Sequence, residues 1–379
     1  MQKNHQFIPI NEPCFKGNEK KYLNECIDTG WVSSTGSFVS KFEKEMANIC
    51  GRKFATSTSS GTAALDIIFN SLDLKSDDEI ITSNFSIISC SNSIMRNGGK
   101  VVLVDVCEKT FNMTFEGIRD KYSKKTKAIL IPHIYGLPVD LDPILEFAKD
   151  KNLFVIEDAA EMHGQEYKGS PCGSFGDVSI FSYYANKLIT TGEGGMILTN
   201  DESLHQKYSS LKNHSFVEGR RFVHDDIGFN YRMTNIQAAL GLAQLEQLKN
   251  MVKRKREIGI YYHSLLKDVK GLSLPLNKTS YSDNIYWAYT LTIKKEIPLS
   301  GGELSEELKK YDIDSRPSFW PLNLQPIYLK NKYFDESLVY PISKQLADKC
   351  IYIPSYVSLS NDKIQYISET IKGIFSKYE

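Results

Sequence analysis

Two side chains and one turn in this 379-residue chain have the types and neighbours that chemistry requires. Asp158 closes LFVIED, a short apolar run ending in two acids, the pattern of a buried parallel strand whose C-terminal end opens into a cleft. Lys187 sits in SIFSYYANKLITTGEGGM, between a strand-like run and a glycine-flanked return to another strand, where an ordinary solvated lysine is out of place. Upstream, the turn Ser59-Ser60-Gly61-Thr62 runs into an amphipathic helix carrying apolar Ala64, Leu65, Ile68 and Leu72. Such a turn aims free backbone N–H groups and the positive helix end at an anion. An amine to attack a carbonyl, a carboxylate to keep a ring nitrogen protonated and amides for a phosphate are what pyridoxal phosphate (PLP) asks of a protein. Each feature also has a plainer reading: Asp158 as the N-cap of a helix starting near Ala159, Lys187 as an exposed loop lysine, and Ser and Thr as ordinary helix caps.

Taken with their neighbours, these residues carry a family resemblance. SSGTAAL, EDAAEMHG, GSFGDVSIFSYYANK, TTGEGGM and GFNYRMTNIQAALGLAQL stand in the order and spacing of the DegT/StrS-type sugar aminotransferases. The similarity runs from PINEPCFKGNEKKYLNECIDTGWVSSTG to SRPSFWPLNLQPIY and YIPSYVSLSND, nearly the whole chain. It looks most like the perosamine-synthase branch, which acts on a nucleotide-linked 4-keto-6-deoxy sugar.

The resemblance implies a fold-type I PLP enzyme that moves an amino group from L-glutamate to a nucleotide-linked keto sugar, for amino-sugar and surface polysaccharide biosynthesis. It puts Lys187 at the Schiff-base position, Asp158 on the pyridine nitrogen, Glu161 beside the PLP hydroxyl, and Ser60, Gly61, Thr62 and Ser182 on the phosphate. Asn230, in GFNYRMT, falls where the family reaches the phosphate of the neighbouring subunit's cofactor, which implies a homodimer with shared active sites. A related dehydratase branch carries His in place of the lysine, so Lys187 argues for transamination. A sugar dehydratase of the same fold and a non-catalytic PLP-binding regulator are the alternatives.

Two departures concern the cofactor and substrate contacts. Ile87 stands where the family has an aromatic against the PLP ring, and Phe85 would share its face if the segment were extended. Asn323, in PLNLQPIY, stands where perosamine-like sequences often read His. Trp31 and Ser33 in DTGWVSSTG, with Ser34 beside them, His163, and Arg316 in DSRPSFWP complete the substrate candidates. Arg316 suits a pyrophosphate or the glutamate carboxylate through paired hydrogen bonds, or a structural ion pair. For His163, as for His133, a histidine satisfied by backbone carbonyls at a strand end is the plainer reading.

The elements that must position these groups follow a βαβ grammar: EIITSNF, KVVLVDV, KAILIPHIYG, LFVIEDAA and SIFSYYA alternate with helices such as PILEFAKDKN. The expected architecture is α/β, a mostly parallel central sheet with helices on both faces, followed by a smaller α+β domain where GLSLPLNKTSYSDNIYWAYTLTI turns to strand-like alternation. We place a large PLP-binding domain at 1–250 and a small C-terminal domain at 251–379. The basic run KRKRE, Lys253 to Glu257, reads as a solvated helical continuation. SSGTAAL is no P-loop and GEGGM no GxGxxG, which counts against nucleotide hydrolysis and NAD.

Lys and Arg number 46 and so do Asp and Glu, so no overall basic field calls for nucleic acid or an anionic membrane. The seven cysteines form no CxxC pair, which suits a reducing cytoplasm. No signal peptide, membrane span or metal-ligand spacing is legible.

Overall fold

The apolar runs alternate between two cores, and that alternation explains why helices must cover both sides of the sheet. In the computed structural model, which describes residues 7–217, 219–335 and 337–378, Ile81, Ile129, Val155, Phe181 and Leu198 belong to one buried cluster. Their immediate neighbours Ile80, Leu130, Ile156, Ile180 and Ile197 belong to another. Successive residues of a strand point to opposite faces, so strands apolar at every position need cover above and below.

The strands are β1 (Phe54–Thr58), β2 (Glu79–Ser83), β3 (Lys100–Val104), β4 (Thr126–Pro132), β5 (Phe154–Asp158), β6 (Val178–Ser182) and β7 (Gly195–Thr199). They form one seven-stranded sheet in the order β1-β7-β6-β5-β4-β2-β3. The β2–β3, β2–β4, β4–β5 and β5–β6 pairs are parallel, whereas β7 is antiparallel to both β6 and β1. Because β7 alone runs backwards, β1 points the same way as the parallel strands. The C-terminal ends of β1, β2, β4, β5 and β6 therefore share one edge, where open α/β sheets bind ligands.

A second sheet of four antiparallel strands, Leu272–Ser273, Tyr289–Ile293, Cys350–Ile353 and Arg316–Pro317 in spatial order, has its own core with Leu291, Ile293, Ile351, Leu304, Ile367 and Ile371. The helix Leu248–Leu266 spans the expected division at residue 250: Leu248, Met251 and Val252 sit in the first core, Ile258, Tyr262 and Leu266 in the second. The basic run on this helix is not uniformly solvated, since Lys255 is buried among the same face's apolar residues. Among the described residues, no helix is long and apolar enough to cross a membrane.

Candidate active site

At the shared C-terminal edge lies a cavity of about 400 Å³, bounded by the Ser60–Thr62 turn, Ile87, Asp158, Glu161, Ser182, Lys187 and Trp287. Asp158 is the last residue of β5 and is buried. Its Oδ1 accepts the Ala160 N–H at 3.1 Å, and its Oδ2 accepts the Cys90 S–H at 3.5 Å. Burial raises its pKa above the ordinary aspartate value, against the Ala160 amide and the charge of Lys187. No helix begins at Ala159; the chain turns through 159–165 into a short hairpin, so the N-cap reading of Asp158 falls. A cationic ring N–H placed against this carboxylate would supply the countercharge that burial demands.

Lys187 leaves β6 on a tight loop: its N–H donates to Tyr184 O at 2.9 Å, and Tyr184 bridges to Gly192. Its Nζ lies 3.6 Å from Glu161 Oε1 and 4.4 Å from the Trp287 ring centroid. Glu161 Oε2 accepts the Tyr135 N–H at 2.7 Å. Burial pushes the Glu161 carboxyl up to about 7, with Lys187 working against that rise. The Glu161 carboxyl therefore gains and loses its proton near neutral pH.

The turn expected to meet an anion opens a helix at the cavity edge. Ser60 caps the helix Gly61–Ser71, its Oγ accepting the Ala63 N–H at 3.0 Å. A Cβ on Gly61 would stand 3.0 Å from Ser182 Cβ, so glycine is what lets this turn close against β6. With the Ala63 amide taken by Ser60, the Gly61 and Thr62 amides lack intrahelical acceptors and are available to a phosphate. Two buried side-chain oxygens on the cavity wall, Ser86 Oγ and Asn186 Oδ1, have no hydrogen-bond partner among the described residues. A carboxylate floor, an amine, a helix N-terminus and unpartnered hydroxyl and amide groups make a set that fits PLP.

The other expected residues are divided between this cavity and the rest of the structure. Ile87 does face the cavity, half exposed at the start of the helix Ile88–Arg96, but Phe85 does not share its face. The chain bends at 84–86, which sends Phe85 into a buried ring cluster with Phe111, Tyr135 and Phe319. Asn323 is not a cavity residue either: its N–H and Oδ1 pair with the Asn84 amide at 3.0 and 2.9 Å.

Trp31 and Ser33 lie away from the cavity, their carbonyls accepting from Asn235 at 2.6 and 2.9 Å. The Trp31 side chain is exposed, and Ser34 borders a separate surface groove. His163 is buried against Phe181 and Tyr183 and does not line the cavity; among the described residues neither ring nitrogen has a hydrogen-bond partner, so backbone carbonyls do not satisfy it. Burial lowers its pKa to about 3, which keeps the ring neutral.

Arg316 is exposed, 3.8 Å from Asp314, on a second hollow of about 480 Å³ that shares Tyr184, Asn186, Trp287 and Tyr352 with the first. Asn230 is exposed and accepts from Arg232 Nε at 3.0 Å, outside this chain's own cavity. His133 Nδ1 accepts the Val139 N–H at 3.0 Å, so its proton sits on Nε2, which donates to Glu157 at 3.1 Å. His133, Glu157 and Cys172 bring ligand-type atoms within 4.8 Å of one another, but Glu157 also accepts the Gly173 and Phe175 amides. The cluster is internally bonded, with both histidine nitrogens engaged.

Sequence reasoning missed the aromatic wall: Trp287, Tyr135 and Phe319 stack with rings 10° and 13° apart. NIYWAYTL shows only strand-like alternation, and nothing local ties Trp287 to Lys187.

Such a sheet, with this edge and this donor set, defines an enzyme built around PLP. The chain belongs to the DegT/DnrJ/EryC1/StrS aminotransferase family, whose profile matches residues 13–372. It is 40% identical over 371 residues to the GDP-perosamine synthase of Escherichia coli O157:H7, covering 98% of this chain and 99% of the relative. It is 37% identical over 370 residues to the GDP-perosamine synthase of Vibrio cholerae, covering 97% and 99%. Spr1654 of Streptococcus pneumoniae in its PLP form superposes with a TM-score of 0.91 at 25% identity, covering 99% of this chain and 100% of that one. The cofactor of the chain is PLP, in keeping with that family and with the cavity described above.

Proposed function

We propose that this chain transfers the amino group of L-glutamate to a nucleotide-linked 4-keto-6-deoxy sugar, as a cytoplasmic homodimer making amino sugars for surface polysaccharide. The observation that carries this reading is Lys187 Nζ held 3.6 Å from the Glu161 carboxyl in a cavity floored by Asp158. Full-length similarity to two GDP-perosamine synthases supports the sugar class.

When bound, PLP supplies an aldehyde that exchanges amines and a ring that accepts electron density from the reacting carbon. Lys187 is the covalent anchor and, once freed, the base that moves the proton at the reacting carbon. Asp158 holds the ring N–H⁺, Glu161 stores a proton beside Lys187, and Ser60, Gly61, Thr62 and Ser182 hold the phosphate. Ile87 packs on the ring by dispersion. Arg316, which lines the adjoining hollow, meets an anionic group of the sugar nucleotide or of glutamate in this reading. Asn230, exposed and outside this chain's own cavity, serves the partner subunit's cofactor.

The test is a substrate panel. Protein loaded with PLP is given glutamate and nucleotide-linked 3-keto and 4-keto sugars while 2-oxoglutarate is measured. Turnover on a 4-keto-6-deoxy sugar is expected. Silence on every member of the panel removes the aminotransferase reading, and deamination without an amino-sugar product would revive the dehydratase.

A further inference from the structure

The helix Leu248–Leu266 turns one lysine of its basic run inward. Lys255 is 4% exposed, and its Nζ donates to three oxygens: Ser355 O, Ser355 Oγ at 3.0 Å and Trp287 O at 3.0 Å. Among the described residues it has no ion-pair partner within bonding distance, and burial lowers its pKa to about 7. Burying an amine among uncharged oxygens is costly, and an apolar residue of similar length would fill the space without that cost. What an apolar residue could not do is donate three hydrogen bonds from one atom.

Those bonds tie together the long helix, the segment entering the strand Tyr289–Ile293 and the segment leaving the strand Cys350–Ile353. The middle segment carries Trp287, whose carbonyl is held by Lys255 while its indole lies 4.4 Å from Lys187 Nζ. The same indole lies nearly parallel to Tyr135, whose N–H holds Glu161. Lys187 and Lys255 also border one narrow crevice behind the Lys187 loop, with Asn186, Thr190 and Gln244. A continuous path of bonds and ring contacts thus runs from Lys255 through Trp287 to the amine that anchors the cofactor.

We propose that Lys255 is a positioning residue for Lys187: by fixing the Trp287 backbone it sets the indole against Nζ and so holds the amine at the angle from which it meets the cofactor's aldehyde. This rests on the reading of Lys187 given above. The test is a double-mutant cycle on cofactor attachment, read as the rise of the visible band when PLP is added to cofactor-free protein. Lys255→Met should slow attachment about tenfold, the scale of a sub-ångström misplacement of a reacting group. Trp287→Phe should slow it by a similar factor, and the double variant should be no slower than the slower single variant.

If the two effects multiply, Lys255 does not act through Trp287 and the proposal is overturned. An unchanged rate in Lys255→Met overturns it as well. Should Lys255→Met fail to fold by circular dichroism, Ser355→Ala, which removes one of the three acceptors, takes its place in the cycle. It is then expected to slow attachment about twofold to threefold under the same criterion. Lys187→Ala run alongside separates the two readings. If that variant keeps the band, the role of Lys187 itself is lost, whereas a bandless Lys187→Ala with a multiplicative cycle removes only the role of Lys255.

Discussion

Lys187 and Lys255 are both withdrawn from water, and they differ in what surrounds the nitrogen. Lys187 faces an open cavity with a carboxylate oxygen 3.6 Å away and the Trp287 ring centroid 4.4 Å away. Lys255 is closed in by two backbone carbonyls and a hydroxyl, with each of its hydrogens directed at an oxygen. The first environment can give and take a proton, because the neighbouring Glu161 carboxyl is pushed up to about 7 by burial. The second holds the amine against three accepting oxygens, away from the cavity that Lys187 faces. Burial alone therefore does not make a lysine reactive; the chemistry of its partners and its access to a cavity do.

The largest test of that contrast is to remove each amine in turn. Lys187→Ala should lose the visible absorption near about 400–430 nm and at least about 10³-fold in turnover, with the cofactor-free fold retained by circular dichroism. Lys255→Met should keep the band. If the outcomes are exchanged, the two lysines have been assigned the wrong way round. Next in size, Asp158→Asn should lower turnover about 10²-fold, because the amide cannot hold the ring N–H⁺ with a charge; turnover within about twofold of the parent would mean the ring nitrogen is held elsewhere.

The two sites should also tilt stability in separate pH windows, measured as urea midpoints of cofactor-free protein. The Glu161 pKa rises from 4.5 unfolded to about 7 folded, so its contribution is full below about 4.5 and lost as pH climbs through about 7. Lys255 falls from 10.5 unfolded to about 7 folded, so the unfolded chain binds more protons between those values and stability rises with pH there. Glu161→Gln should flatten the first slope and Lys255→Met the second. A variant that changes the other window instead would break the assignment. The smallest effect is expected at the cavity wall, where Ile87→Phe should tighten PLP binding by about 1 kcal/mol, read as cofactor Kd; weaker binding would show that the wall has no room for a ring.

What was legible in the sequence depended on whether the cause was local. Ile80 and Ile81, or Val155 and Ile156, are neighbours that both need burying, so a sheet covered on two faces could be read directly. Asp158 and Lys187 sit where a local pattern ends, and the structure brings them to one cavity. Phe85 was misplaced because three residues of bent chain defeat a period-2 argument. Asn323 could not be placed, because its partner Asn84 is 239 residues away. Lys255 was misread as solvated, although a signal was present. Leu248, Met251, Val252, Lys255, Ile258, Tyr262 and Leu266 repeat at helical spacing, which puts the lysine on the apolar stripe.

Whether Lys187 is the amine that anchors the cofactor can be read chemically. Protein loaded with PLP is reduced with borohydride, digested and mapped by mass spectrometry. A phosphopyridoxyl label on Lys187 is expected; a label on a different lysine, Lys255 included, with Lys187 unmodified would rule Lys187 out as the anchor.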